Sequence, residues 1–168
     1  MTVAIRKGDA SDLDAFVELL CTVRDSMPVK AWFYVDSKEE IRCQMDAGIM
    51  QMWVAVDGER IVAAFDLLVP GLRKINYGYD LGLSEKELLQ VVHMDSVAVH
   101  LDHRGQGLQE KLMQTAEKWL QGKEKHILLC TVHPENRFSL NNVQKLGYRI
   151  QKETAIYGSV RYILRKDI

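Results

Sequence analysis

An arginine, two glycines one residue apart and a helix-forming run stand together between Val97 and Met113, in VAVHLDHRGQGLQEKLM. Gly105 and Gly107 carry no Cβ, so the backbone there can curve tightly and let a ligand approach closely. A helix beginning near Gly107 offers unpaired amides at its amino end, where a phosphate is electrostatically favoured. Arg104 can add a charge-assisted contact. Ordinary turns and solvated arginines use the same residues, so anion binding and a plain turn both stay open on the residues alone. GQGLQE lacks the third glycine of the dinucleotide fingerprint, and no glycine-rich loop closes on Lys and Ser or Thr. A nicotinamide enzyme and a nucleoside triphosphatase therefore both lose ground.

Just before this turn, His93 and Asp95 alternate with Val97 and Val99 along VVHMDSVAV, and the two-residue period of a strand predicts one common side for all four. His93 titrates near neutrality, whereas Asp95 suits attracting a cationic amine or orienting a water. Each has a structural alternative: a hydrogen-bonded core histidine, and an aspartate pairing near a strand end. Cys130 and His133 invite a nucleophilic dyad, but LLCTVH more economically puts a small residue in a strand and a histidine at its end. His100, Asp102 and His103 lie in the turn without structural-zinc spacing, so no metal is expected. Trp32, Phe33, Tyr34, Trp53, Phe65, Tyr77 and Tyr79 can shape a pocket, fill a core or meet a partner chain. Asp36, Glu39, Glu40 and Asp80 either attract a cationic acceptor or form an exposed charged surface.

These residues need a scaffold, and its period changes are readable. VAIRKG reads as a strand, and DASDLDAFVELLCTVRD as a helix capped by Ser11 or Asp9 with Leu13, Phe16, Val17 and Leu20 on its buried stripe. Ser37 and Glu40 form a capping box for a second helix that stops at Gly48. QMWVAVDGERIVAAFDLLV predicts a hairpin turning at Asp57-Gly58. Residues 70–90 carry three glycines and a short helical possibility near Ser84, consistent with a substrate-side insertion or a surface connection. A strand then leads into a helix with Leu108, Leu112, Ala116 and Leu120 on one face, followed by the strand HILLCTV, the short helix SLNNVQKLG and a terminal strand pair. The pattern is mixed α/β: a mainly antiparallel central sheet with flanking helices and one βαβ crossover, in a single domain over residues 1–168.

The chain of 168 residues is long enough for a core that needs neither metal nor disulfide. Apolar residues at 47% and charged residues at 27% argue against general disorder. With 22 Lys plus Arg against 23 Asp plus Glu, the net charge of -1 favours no general affinity for nucleic acid or an anionic membrane. Three unpaired-looking cysteines, a charged amino terminus and no long apolar run predict a cytoplasmic protein with neither signal peptide nor membrane span.

MDSVAVHLDHRGQGLQEKLMQTAEKWL and LLCTVHPENRFSLNNVQKLGY together resemble the GNAT superfamily of acyl-CoA-dependent N-acyltransferases. The resemblance implies acetyl-CoA as acyl donor, with Val97 and Val99 presenting strand groups to the pantetheine arm. It also implies that Arg104, Gly105, Gln106, Gly107 and Leu108 receive the pyrophosphate, and that Asn136 and Ser139 approach the coenzyme arm. Gln109 belongs to the same implied coenzyme-binding set but departs from the small residue common there, and Val143 or Asn142 stands where the family often has a tyrosine acid. The implied activity is acetyl transfer by direct attack to a primary amine, foremost that of a small molecule, with Asp95 or His93 as base. Protein amino termini or lysines are the alternative acceptors, and a catalytically weak CoA-responsive or protein-binding module is the alternative function. The resemblance also admits a homodimer.

Overall fold

A computed structural model describes residues 2–168. Strands β1 (Ala4–Lys7), β2 (Met50–Asp57), β3 (Arg60–Leu68), β4 (Val91–Val99), β5 (Ile127–Val132), β6 (Arg149–Ile156) and β7 (Ser159–Asp167) form a seven-stranded sheet in the order β1-β2-β3-β4-β5-β7-β6. Among the described residues only β4 and β5 run parallel. The helices are α1 (Leu13–Ser26), α2 (Lys38–Asp46), α3 (Glu85–Leu88), α4 (Leu108–Leu120) and α5 (Arg137–Lys145). Among the described residues no helix is long and apolar enough to cross a membrane.

Each face of the sheet is covered by the helices whose apolar stripes the sequence displays. Leu108, Leu112, Met113, Ala116 and Leu120 of α4, with Leu140 and Val143 of α5, pack on Trp53, Phe65, Val92, Met94 and Leu128. The opposite face takes Leu13, Phe16 and Leu20 of α1 and Ile41 of α2 against Met52, Val54, Ala64 and Ala98. Ser37 and Glu40 make the capping box on α2, and Asp9 rather than Ser11 accepts the capping amide ahead of α1. The hairpin turn is displaced by one residue from its expected place. Asp57 pairs with Arg60, so Gly58 and Glu59 form the turn and Gly58 takes the positive φ of 62°.

Two features of β4 shape everything that follows. It pairs with β5 only at Val91, Val92 and His93, opposite Ile127, Leu128 and Leu129; beyond that point the two strands separate. On its other edge β4 carries a bulge, because Phe65 pairs with Val97 while Leu67 pairs with Met94. The extra residue resets the side-chain alternation and overturns the expected common side. Val97 and Val99 pack toward α4, whereas His93 lies on the opposite face, stacked on Tyr77 at 3.9 Å.

The stretch 70–90 is organised by Asn76. Its amide donates to the Gly71 and Leu88 carbonyls and its oxygen accepts from the Gly78 N–H. A Cβ at Gly78 would fall 2.7 Å from a terminal methyl of Leu88 and 3.0 Å from Asn76 Oδ1, so a larger residue there would have to displace the Leu88 side chain or the Asn76 amide. The fold thereby presses Tyr77 onto the sheet beside the β4–β5 opening.

Candidate active site

The separation of β4 and β5 opens a cavity of about 560 Å³ that reaches both faces of the sheet. On the α4 side it is lined by Val97, Val99, Arg104, Gly105, Gly107 and Asn136; on the α1 side by Phe16, Tyr34, Tyr77, Tyr157 and Arg161. Asp95 lies where the two halves meet, in the bulge that separates the faces.

The turn before α4 has the geometry of an anion cradle. Gly105 and Gly107 adopt φ of 78° and 70°, and a Cβ built on either would meet nothing within 4 Å. The amides of Gly105, Gln106, Gly107, Leu108, Gln109 and Glu110 donate to no backbone or side-chain acceptor among the described residues, while Gly107 gives its carbonyl to the Lys111 N–H. Arg104 is exposed at the rim and belongs to no ion pair among those residues. Successive unpaired amides at a helix start, with a free guanidinium beside them, suit a diphosphate. His103 bonds Asp57 at 3.1 Å and His100 bonds Arg60 at 2.7 Å, which ties the turn to the β2–β3 hairpin.

The residues expected beside the coenzyme arm fall on the same side. Asn136 caps α5 by accepting the Ser139 N–H at 3.3 Å, and both line the cavity. The Gln109 side chain reaches across to α5, where its Oε1 accepts from Asn142 Nδ2 at 3.1 Å while its own Nε2 is buried without a partner. Val143, at the expected tyrosine place, is a buried core residue.

Of the two base candidates, the structure brings only Asp95 to the cavity. Burial, reinforced by the charge of Asp36, pushes its carboxyl up to about 7. Neighbouring Asp66 is held well above the usual carboxylate range by burial and then by Asp95, and its oxygen accepts the Ser96 amide at 3.1 Å. His93 is 1% exposed, its Nε2 accepts the Tyr77 N–H at 3.1 Å, and burial pushes it down to about 3. A ring that is neutral, enclosed and already accepting a backbone proton is a core histidine by geometry. Cys130 is likewise buried, its thiol pushed up to about 12 by desolvation, and among the described residues no hydrogen bond joins it to His133, whose Nδ1 accepts the Glu135 amide.

The aromatic set divides. Trp32, Phe33, Tyr34, Phe65 and Tyr77 line the cavity; Trp53 packs edge-on against Trp119 in the core, and Tyr79 is exposed. Asp36 joins the site, whereas Glu40 serves the α2 cap and Asp80 faces solvent. Sequence reasoning missed Asp66, Tyr157 and Arg161. Tyr157 occupies the β6–β7 turn at φ 56°, bonds the Tyr77 hydroxyl and stacks on Tyr34. The signal for Arg161 was strand alternation in SVRYILRK, which puts it on one face with Ile163. Distance in the chain hid its partners.

The family model described as Acetyltransferase (GNAT) family matches residues 18–148. Among solved structures, the fold is similar to that of Arabidopsis thaliana NAA60 in complex with acetyl-CoA, at 16% identity, 99% of each chain and a TM-score of 0.76. It is also similar to yncA, a putative acetyltransferase from Salmonella typhimurium with acetyl-CoA, at 16% identity, 99% of this chain, 94% of that one and a TM-score of 0.74. The PaiA N-acetyltransferase of Thermoplasma acidophilum in complex with coenzyme A shares 14% identity over 100% of both chains, with a TM-score of 0.74. No curated protein sequence matches significantly.

Proposed function

Because this chain belongs to the acetyltransferase (GNAT) family, we propose that it transfers an acetyl group from acetyl-CoA to the primary amine of a small molecule by direct attack. The observation that carries this reading is the run of six free amides beside Arg104, set at the mouth of the β4–β5 opening. In it the turn and Arg104 hold the diphosphate, and the β5-facing edge of β4 beyond His93 offers backbone groups to the pantetheine amides. Acetyl-CoA supplies the activated acyl group. Asn136 and Ser139 flank its arm from α5.

The acceptor enters from the α1 side, so the two reactants meet at the bulge. Asp95 takes the proton that the attacking nitrogen loses, directly or through one water. A carboxyl near 7 is matched to that task at neutral pH. The N–C bond forms as the C–S bond breaks, β4 amides stabilise the charge developing on the carbonyl oxygen, and the departing thiolate takes a proton from water. Val143 leaves the usual tyrosine acid without a counterpart.

The test is calorimetric binding of acetyl-CoA and CoA, followed by mass spectrometry of products from a panel of small amines, peptides with free amino termini and lysine peptides. Binding with amine-dependent release of CoA is expected. Arg104→Ala is expected to weaken coenzyme binding about tenfold, roughly the 1.4 kcal/mol of one charge-assisted contact. Unchanged affinity in that variant would reject the diphosphate assignment. Tight binding with no transfer to any acceptor would favour a CoA-responsive module.

A further inference from the structure

The α1 side of the cavity holds a cation as well as its acids. Arg161 is 6% exposed, projects from β7 into the cavity and has no carboxylate within ion-pairing distance among the described residues. Its firm bond is from Nε to Thr131 Oγ1 at 3.1 Å. The contacts to the carbonyls of Thr131, Ala31 and Trp32 lie at 3.4, 3.4 and 3.5 Å, beyond ordinary hydrogen-bond length. The Tyr157 ring lies 5.9 Å from the central carbon of the guanidinium and Asp95 acts on it through space, but neither gives it an ion pair, and a buried guanidinium without one costs several kcal/mol unless an anion completes it. A lining residue also carries a donor without a partner: the Trp32 indole Nε1 is buried with no acceptor, and the Trp32 carbonyl lies 3.5 Å from Arg161.

We propose that Arg161 is the carboxylate-binding element of the acceptor pocket, and that the acceptor is a small primary amine that also bears a carboxylate, of the α-amino-acid class. The inference rests on the acyltransfer reading above and adds the identity of its second substrate. Arg161 and Asp95 then address the two ends of one small zwitterion: the guanidinium takes the carboxylate and Asp95 faces the nitrogen. The other two acids do not turn the pocket into a site for polycations. Asp66 is committed to the Ser96 amide and Asp36 accepts from Gln44, and burial favours the neutral form of both. Trp32 and the Tyr77–Tyr157 pair wall the space between, which fits a compact acceptor better than an extended chain.

The experiment compares each amino acid of a panel with its own amide and its decarboxylated amine, with acetyl-CoA saturating. For the preferred side chain, kcat/KM is expected to be at least tenfold higher for the free acid. Arg161→Gln is expected to remove that preference through KM while leaving CoA affinity unchanged, and Arg161→Lys to restore part of it. Equal use of amide and acid by the unaltered protein, or a preference for diamines, would overturn the proposal without touching acyltransfer itself. If no amine is acylated, the acyltransfer reading fails, and titration of the same compounds into the protein–CoA complex still decides this one. Carboxylate-dependent binding that Arg161→Gln abolishes supports it; binding indifferent to the carboxylate, or none at all, overturns it. The comparison of acid with amide needs no variant, so a poorly folding Arg161→Gln would not rescue the proposal.

Discussion

At the scale of single residues, the site turns on which ionisable groups are free to act. Asp95 and His93 are two positions apart on one strand, yet burial pushes one carboxyl up to about 7 and one imidazole down to about 3. Only the first opens on the cavity. The base form of Asp95 is the charged one, present above about 7, so kcat/KM is expected to rise about tenfold per pH unit below that value and to level off above it. Asp95→Asn is expected to lower turnover by about 10²–10⁴ and to erase that pH dependence, with acetyl-CoA affinity held within about twofold. His93→Gln, which keeps an acceptor for the Tyr77 amide, is expected to preserve the profile. Steady-state rates from pH 5.5 to 9 separate the two; an unaltered profile in Asp95→Asn would remove Asp95 from proton transfer.

At the scale of elements, local chemistry explains what could be read in advance and what could not. The α4 stripe at Leu108, Leu112, Ala116 and Leu120, the Ser37 capping box and the turn at Gly105 and Gly107 are all set by neighbours within a few residues, and the structure has each of them. The β4 bulge depends on β3, thirty residues away, where Asp66 accepts the Ser96 amide; no period in VVHMDSVAV could announce it. The same limit hid Arg161, which is brought to the cavity by β7 inserting between β5 and β6. The place of Gln109 likewise becomes clear only with α5 packed beside α4. Because the Gln109 amide is buried and has one partner, Asn142, removing that partner leaves it unsatisfied at both ends. Asn142→Ala is expected to destabilise by about 1–3 kcal/mol, and adding Gln109→Leu to recover part of the loss, since a hydrocarbon needs no partner. Urea denaturation of the two single variants and the double variant checks this; strictly additive losses would mean the α4–α5 tie carries no coupling.

For the molecule as a whole, the two perturbed groups of β4 make opposite demands on stability as pH changes. Asp95 has its folded value raised from 3.8 to about 7, so its contribution is fully present below about 4 and is lost as pH rises through 7. His93 has its folded value lowered from 6.5 to about 3, so its contribution is present above 6.5 and is lost as pH falls toward 3. Between roughly pH 4 and 6.5 both act at once, each with a limiting slope of about 1.4 kcal/mol per pH unit and of opposite sign, so each masks part of the other, while Asp66, raised in the same direction as Asp95, adds to the Asp95 side. A single substitution should expose the slope that its partner was masking. Relative to the unaltered protein, Asp95→Asn is expected to gain stability steadily as pH rises from 4.5 to 7. His93→Gln is expected to gain as pH falls across the same range, from a starting deficit set by its poorer packing on Tyr77. Unfolding free energies at pH 4.5, 5.5 and 6.5 measure both differences. Curves that run parallel to the unaltered protein would show that neither group is held in its neutral form by the sheet, and with that the β4 bulge would lose its part in tuning the base.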